Sequence, residues 1–165
     1  VKLLLSLAII GTLTCPAIAL AKGGIVFAGG SWAAINRGDA CVALGRSARI
    51  AAKGKVQATA GFAFARDRRR WGEFHAHLRR VPRPGSSVIL TVGDQPFLLA
   101  VRGDWAWSRG PVQEQAIIAA VRSASGMRIE ARDGAGQRFI DPYTLGGAPT
   151  AIDAAAACAG KIQPH

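Results

Sequence analysis

WGEFHAHLRR, residues 71–80, puts Phe74, Ala76 and Leu78 on one side of an extended chain and Glu73, His75, His77 and Arg79 on the other. Successive side chains of a strand point to opposite faces, so the pattern is a half-buried strand with one wet face. It sets an antiparallel β reading for the segments around it. Upstream, Lys53-Gly54-Lys55 turns into Val56 to Ala65, where Val56, Ala58 and Ala60 alternate with Gln57 and Thr59. Further back, Trp32 to Ile35 and Ala40 to Leu44 read as the first paired strands, punctuated by Gly29-Gly30, Gly38-Asp39 and Gly45.

Downstream, Ser87 to Val92 and Pro96 to Val101 flank Gly93-Asp94-Gln95, residues that tolerate the positive φ of a hairpin turn. Trp105 and Trp107 follow at strand spacing, so their rings share a side, and they read as core packing in preference to a binding platform. Pro111 opens a helix over Val112 to Ala124, with Glu114 in its first turn and Gly126 at its end. Met127 to Arg132 and Gln137 to Ile140 form another hairpin around Asp133-Gly134. A last short helix covers Ala151 to Ala159, with Thr150 and Asp153 spaced as a capping box and Gly160 as its stop. The expected fold is mainly β (α+β), an antiparallel β-sandwich or open barrel of about seven or eight strands with two short helices.

The N-terminal residues carry an address. Lys2 precedes an uncharged run from Leu3 to Leu13, followed by Pro16 and Ala19-Leu20-Ala21, the three-part pattern of a cleavable signal over residues 1–21. The run falls short of the ~20 residues of a membrane span, and no later segment competes, so the mature chain is expected to have no transmembrane helix. Cys15 offers a lipid-attachment alternative, which Thr12-Leu13-Thr14 fits poorly. Residues 22–165 then make one domain in the periplasm or outside the cell. Removal of the leader takes Cys15 with it and leaves Cys41 and Cys158, an even pair that reads as a disulfide in an exported chain. Two buried free thiols are the alternative.

The chain has 21 Lys+Arg against 10 Asp+Glu, a net charge of +11. The basic residues concentrate at Arg66, Arg68, Arg69, Arg70, Arg79, Arg80 and Arg83, with Trp71 in their midst. Guanidinium forks suit phosphate and carboxylate groups. The expected partner is an anionic envelope component or a protein partner, with nucleic acid disfavoured by the compartment. The plainer alternative is a solvated charge run produced by an arginine-, alanine- and glycine-rich composition.

Catalytic signals are sparse. Glu73, His75 and His77 are the best metal candidates, being ligand types on one strand face, but same-face positions lie ~7 Å apart and no second cluster supplies further ligands. Neither histidine has a serine partner in a G-x-S-x-G elbow, and no cysteine is expected to remain free. No catalytic residue and no cofactor is assigned. A metal-dependent or other hydrolytic enzyme using His75 and His77 stands as one alternative function, and a purely structural envelope protein as another.

Several segments together resemble the invasion-associated locus B family of exported alphaproteobacterial proteins. They are Trp32 followed by Cys41-Val42-Ala43-Leu44, then Val92-Gly93-Asp94 with Pro96-Phe97, then Tyr143-Thr144-Leu145-Gly146-Gly147 leading into Ala151-Ile152 and an alanine-rich helix. The resemblance implies a periplasmic or surface-exposed β-sandwich-like domain, in a family named for entry into host cells, and brings no catalytic residues with it. Family members usually have additional cysteines, and this chain departs from them in retaining only Cys41 and Cys158 after the leader.

Overall fold

The computed structural model describes residues 23–161, so the leader, Cys15 and His165 lie outside the described residues. The alternating stretch becomes strand β5 (Trp71–His77). Before it come β1 (Ile25–Gly29), β2 (Trp32–Asn36), β3 (Ala40–Arg46) and β4 (Thr59–Ala65). After it come β6 (Ile89–Val92), β7 (Gln95–Leu98), β8 (Ala100–Arg102), β9 (Trp105–Trp107), α1 (Pro111–Ser123), β10 (Gly126–Arg132), β11 (Arg138–Thr144) and α2 (Ala148–Lys161).

The protein is mainly β, with two antiparallel sheets ordered β1-β2-β3-β4-β5-β9-β8 and β11-β10-β6-β7. The described residues hold eleven strands, against an expected seven or eight. One of the extra strands comes from a break in an expected one, and β1 and β9 add to it. The run Pro96 to Val101 does not form a single strand, because the chain leaves the small sheet after Leu98 and enters the large one at Ala100. Leu99, 2% exposed, sits at the crossing and donates its N–H to the Val88 carbonyl at 3.0 Å. No helix among the described residues is long and apolar enough to cross a membrane.

The inner face of the large sheet is built from Trp32, Ala34, Cys41, Ala43, Phe62, Phe64, Phe74, Ala76 and Ala106, which join Leu90, Ile129, Phe139 and the two helices in one buried cluster. Phe62 meets Phe74 edge to face at 5.4 Å, a favoured aromatic arrangement. Helix α1 begins at Pro111, whose missing N–H costs nothing at the first helical position. Helix α2 buries Ala148, Ala151, Ile152, Ala155 and Ala159, and this nearly all-alanine stripe lets its axis approach β2 and β3 closely. The helix starts earlier than its predicted boundary at Ala151. Pro149 is accommodated in its first turn, so Thr150 is already helical and the expected capping box does not form. Asp153 pairs instead with Arg122 of α1 at 2.5 Å.

Cys41 of β3 and Cys158 of α2 are joined by a disulfide, their Cα atoms 6.0 Å apart. It pins the last helix to the centre of the large sheet. At the other end of α2, two glycine turns touch. A Cβ on Gly147, at φ +89°, would lie 2.2 Å from the Gly29 carbonyl oxygen, and one on Gly30 would lie 2.1 Å from that of Gly146. Gly147→Ala therefore meets both a clash and a left-handed backbone. It is expected to lower the unfolding free energy by about 1 to 3 kcal/mol in urea titrations, whereas Gly54→Ala, in open space, should lose no more than its positive φ costs.

One charge pair is enclosed where the sheets meet. Asp141 of β11 is 0% exposed, and its Oδ1 lies 2.7 Å from Nε of Arg79, just past the end of β5. That Nε–H is not aligned as a hydrogen bond, and it is the Arg79 backbone N–H that donates to the other carboxylate oxygen, at 3.3 Å. The guanidinium also lies 5.3 Å from the centre of the Phe139 ring. Burial raises Asp141 above the ordinary carboxylate range even with Arg79 opposing the shift, and burial reinforced by Asp141 pushes the Tyr143 phenol upward.

Candidate binding site

Cross-strand partners in a sheet share a face, so the pairing register states what the outer side of the large sheet presents. One row runs Ala33, Leu44, Gly61, His75 and Trp107, and the next runs Arg46, Thr59, His77, Trp105 and Arg102. A third holds Ile35, Val42, Ala63 and Glu73. These rows enclose a shallow trough of about 580 Å³. Its floor is Val42, Leu44 and Ala63, its wall is His75, Trp105 and Trp107, and its rim carries Arg37, Asp39, Arg70 and Glu73.

Trp105 and Trp107 thus lie on the outer face and not in the core, contrary to the reading of the sequence. The residue between them decides it. Ala106 is 0% exposed and is the residue that fits the close-packed inner side, which sends both indoles outward, with Trp105 38% exposed. The two rings are nearly parallel, 21° apart with centres 6.3 Å from each other. His77 stacks on Trp105 at 4.7 Å and 13°, and its Nε2 lies 2.9 Å from Asp104 Oδ2 in the β8–β9 turn. Gly61 lets His75 lie close over β4, since a Cβ there would come within 3.1 Å of the imidazole and 2.5 Å of the Ala43 carbonyl oxygen.

Electrostatics in the trough follow from burial. Desolvation raises the Glu73 carboxyl, with Arg70 opposing and Glu114 assisting. Desolvation likewise lowers His75, opposed by a hydrogen bond to the Glu73 backbone and assisted by the positive charges of Arg37 and Arg70. The two neighbours on one strand face are therefore displaced in opposite directions, each towards its neutral form.

The arginine cluster of the sequence is divided by the fold. Arg66, Arg68, Arg69 and Arg70 occupy the β4–β5 hairpin, all exposed. A bulge at Gly72, φ +88°, pairs Trp71 with Phe64. Trp71 then packs edge-on against Phe64 at 5.4 Å, with Arg68 4.7 Å above its ring. Arg70 alone of this group lines the trough. Arg79, Arg80 and Arg83 lie beyond the other end of β5, seven residues or about 23 Å away at strand rise. There Arg79 is committed to Asp141, and Arg80 to Asp133 at 2.7 Å. Proximity in sequence misled because a strand carries its two ends apart.

Glu73, His75 and His77 do share one face, but they do not converge. Among the described residues no three His, Cys, Asp or Glu side chains stand close enough together to hold a metal ion. His77 is turned to Asp104 and Trp105, and Glu73 faces the rim arginine. Arg37 and Asp104 were not singled out from the sequence, since only strand pairing brings them to this face. Compared with known proteins, the chain matches no family model, no curated protein and no solved structure.

Proposed function

We propose that this protein is a non-enzymatic, exported binding domain of the kind its resemblance to the invasion-associated locus B family implies, and that it meets an anionic envelope or host partner with the outer face of the large sheet. One observation carries the reading. Two tryptophans stand on an open sheet face and line one trough together with Arg37 and Arg70, while the buried core is assembled without either ring. Large aromatic rings left outside a core, with arginines at their margin, have the composition of interaction surfaces. Arg66, Arg68 and Arg69 on the adjoining hairpin add a positive field that draws an anion towards that face.

The purified protein is expected to bind at least one of phosphatidylglycerol vesicles, lipopolysaccharide and a soluble polyuronate, with retention falling as salt rises. Joint replacement of Arg37 and Arg70 by alanine should weaken that binding about tenfold or more. No binding to any of the three, or unchanged binding in the double variant, would sink the reading.

Catalysis at the same trough has one observation in its favour, the opposed displacements of Glu73 and His75, which suit an acid and a base working together. It requires that a bound ligand be turned over, and that Glu73→Gln stop the turnover without loss of binding. A ligand recovered chemically intact after prolonged incubation removes it.

A further inference from the structure

We propose that the trough takes an acidic polysaccharide, with sugar rings against Trp107 and Trp105 and uronate carboxylates on Arg37 and Arg70. The inference rests on the outer face being the binding surface and names what it binds. A sugar ring offers a face of polarised C–H bonds, which the electron-rich face of an indole attracts. It also offers hydroxyls, each both donor and acceptor, so a site for it needs partners of both kinds. The trough supplies them within one rim, with Arg37 and Arg70 donating and Asp39 and Glu73 accepting. Phosphate oxygens alone would bring charge against those two carboxylates and offer them no donor.

The shape agrees with the chemistry. Val42, Leu44 and Ala63 leave a low floor beside the tall aromatic wall, a trough in which a chain of rings can lie along the wall. The +11 net charge favours a polyanion over a neutral glycan at long range, and guanidinium forks match a carboxylate with two parallel hydrogen bonds.

The test titrates the protein with oligogalacturonate, using dextran oligomers as the neutral comparator and phosphatidylglycerol vesicles as the phosphate comparator, and follows tryptophan fluorescence and calorimetry. The uronate is expected to bind more tightly than either comparator. Trp107→Ala should weaken it about tenfold, and Trp107→Phe, which keeps an aromatic face, by no more than a few-fold. Trp105→Ala provides a second measure at a ring that is 38% exposed, should the first variant fail to fold. Arg37→Ala with Arg70→Ala should abolish the preference over dextran. Equal binding of dextran and uronate, or uronate binding indifferent to both tryptophans, overturns the inference. Binding to vesicles alone also overturns it while leaving the broader anion-binding reading intact, and binding to nothing overturns both.

Discussion

Replacement of Cys41 and Cys158 together by alanine is expected to lower the free energy of unfolding by about 4 to 5 kcal/mol. The bridge spans 117 residues, so in the unfolded state it closes a loop that takes in most of the described chain. The chain-entropy cost removed by such a closure grows only with the logarithm of its length, yet at this length it is already a large share of the ~5 to 15 kcal/mol that holds an ordinary domain together. Urea titration of the double variant, and of the parent with and without reductant, should show the same displacement. A change below about 1 kcal/mol would mean that the unfolded chain is constrained without the bridge, and the entropic account would fail.

Arg79→Ala should cost about 3 kcal/mol or more near pH 7, because it leaves the Asp141 carboxylate buried without the cation paired to it, with only the weaker field of Arg49 remaining. The effect has a defined pH dependence. Burial raises Asp141, so between its unfolded and folded pKa values the folded chain holds more protons than the unfolded one. Its contribution to stability is therefore greatest in acid and is lost as pH rises through the folded value. Without Arg79 the folded value climbs further, so the variant should be nearly as stable as the parent at about pH 4 and fall well below it by about pH 7. Equal losses at the two pH values would show that the guanidinium acts through its packing on Phe139 and not through charge. Asp141→Asn should cost less than Arg79→Ala at neutral pH, since the Arg79 side chain is 21% exposed and can turn to water.

Local pattern was legible wherever an element is specified by its own residues. Alternation after residue 71, the turns at Gly93-Asp94 and Asp133-Gly134 and the Pro111 helix lie within a residue or two of where they were expected, while the strand after Asp133-Gly134 runs on to Thr144, four residues past its expected end. The disulfide was legible too, from an even pair of cysteines in a chain with a leader-like start. What was not legible is which strand lies beside which. The pairing of β5 with β9, and of β6 with β10, joins segments separated by other strands or by α1, and no local alternation encodes such a neighbour.

The site suffered most from this. Trp105-Ala106-Trp107 says that the two indoles share a side, but not which side is covered, and the covered side is set by helices that lie elsewhere in the chain. The arginines are divided for the converse reason. Arg70 and Arg79 are close in the text, and a strand of rigid rise separates them in space. His75 and His77 were correctly placed on one face, and the same spacing that placed them keeps them from sharing an ion.

Leu99 has a consequence for how anything enters the trough. With only this residue between membership of one sheet and membership of the other, and with its N–H tied to Val88, the chain has no slack at the crossing. The two layers also share one buried core, so separating them as the lobes of a hinged clamp would expose it. Admission of a guest then depends on rotation of the indoles, the imidazoles and the rim guanidiniums, motions of nanoseconds and not of milliseconds, and the scaffold beneath acts as a fixed anvil.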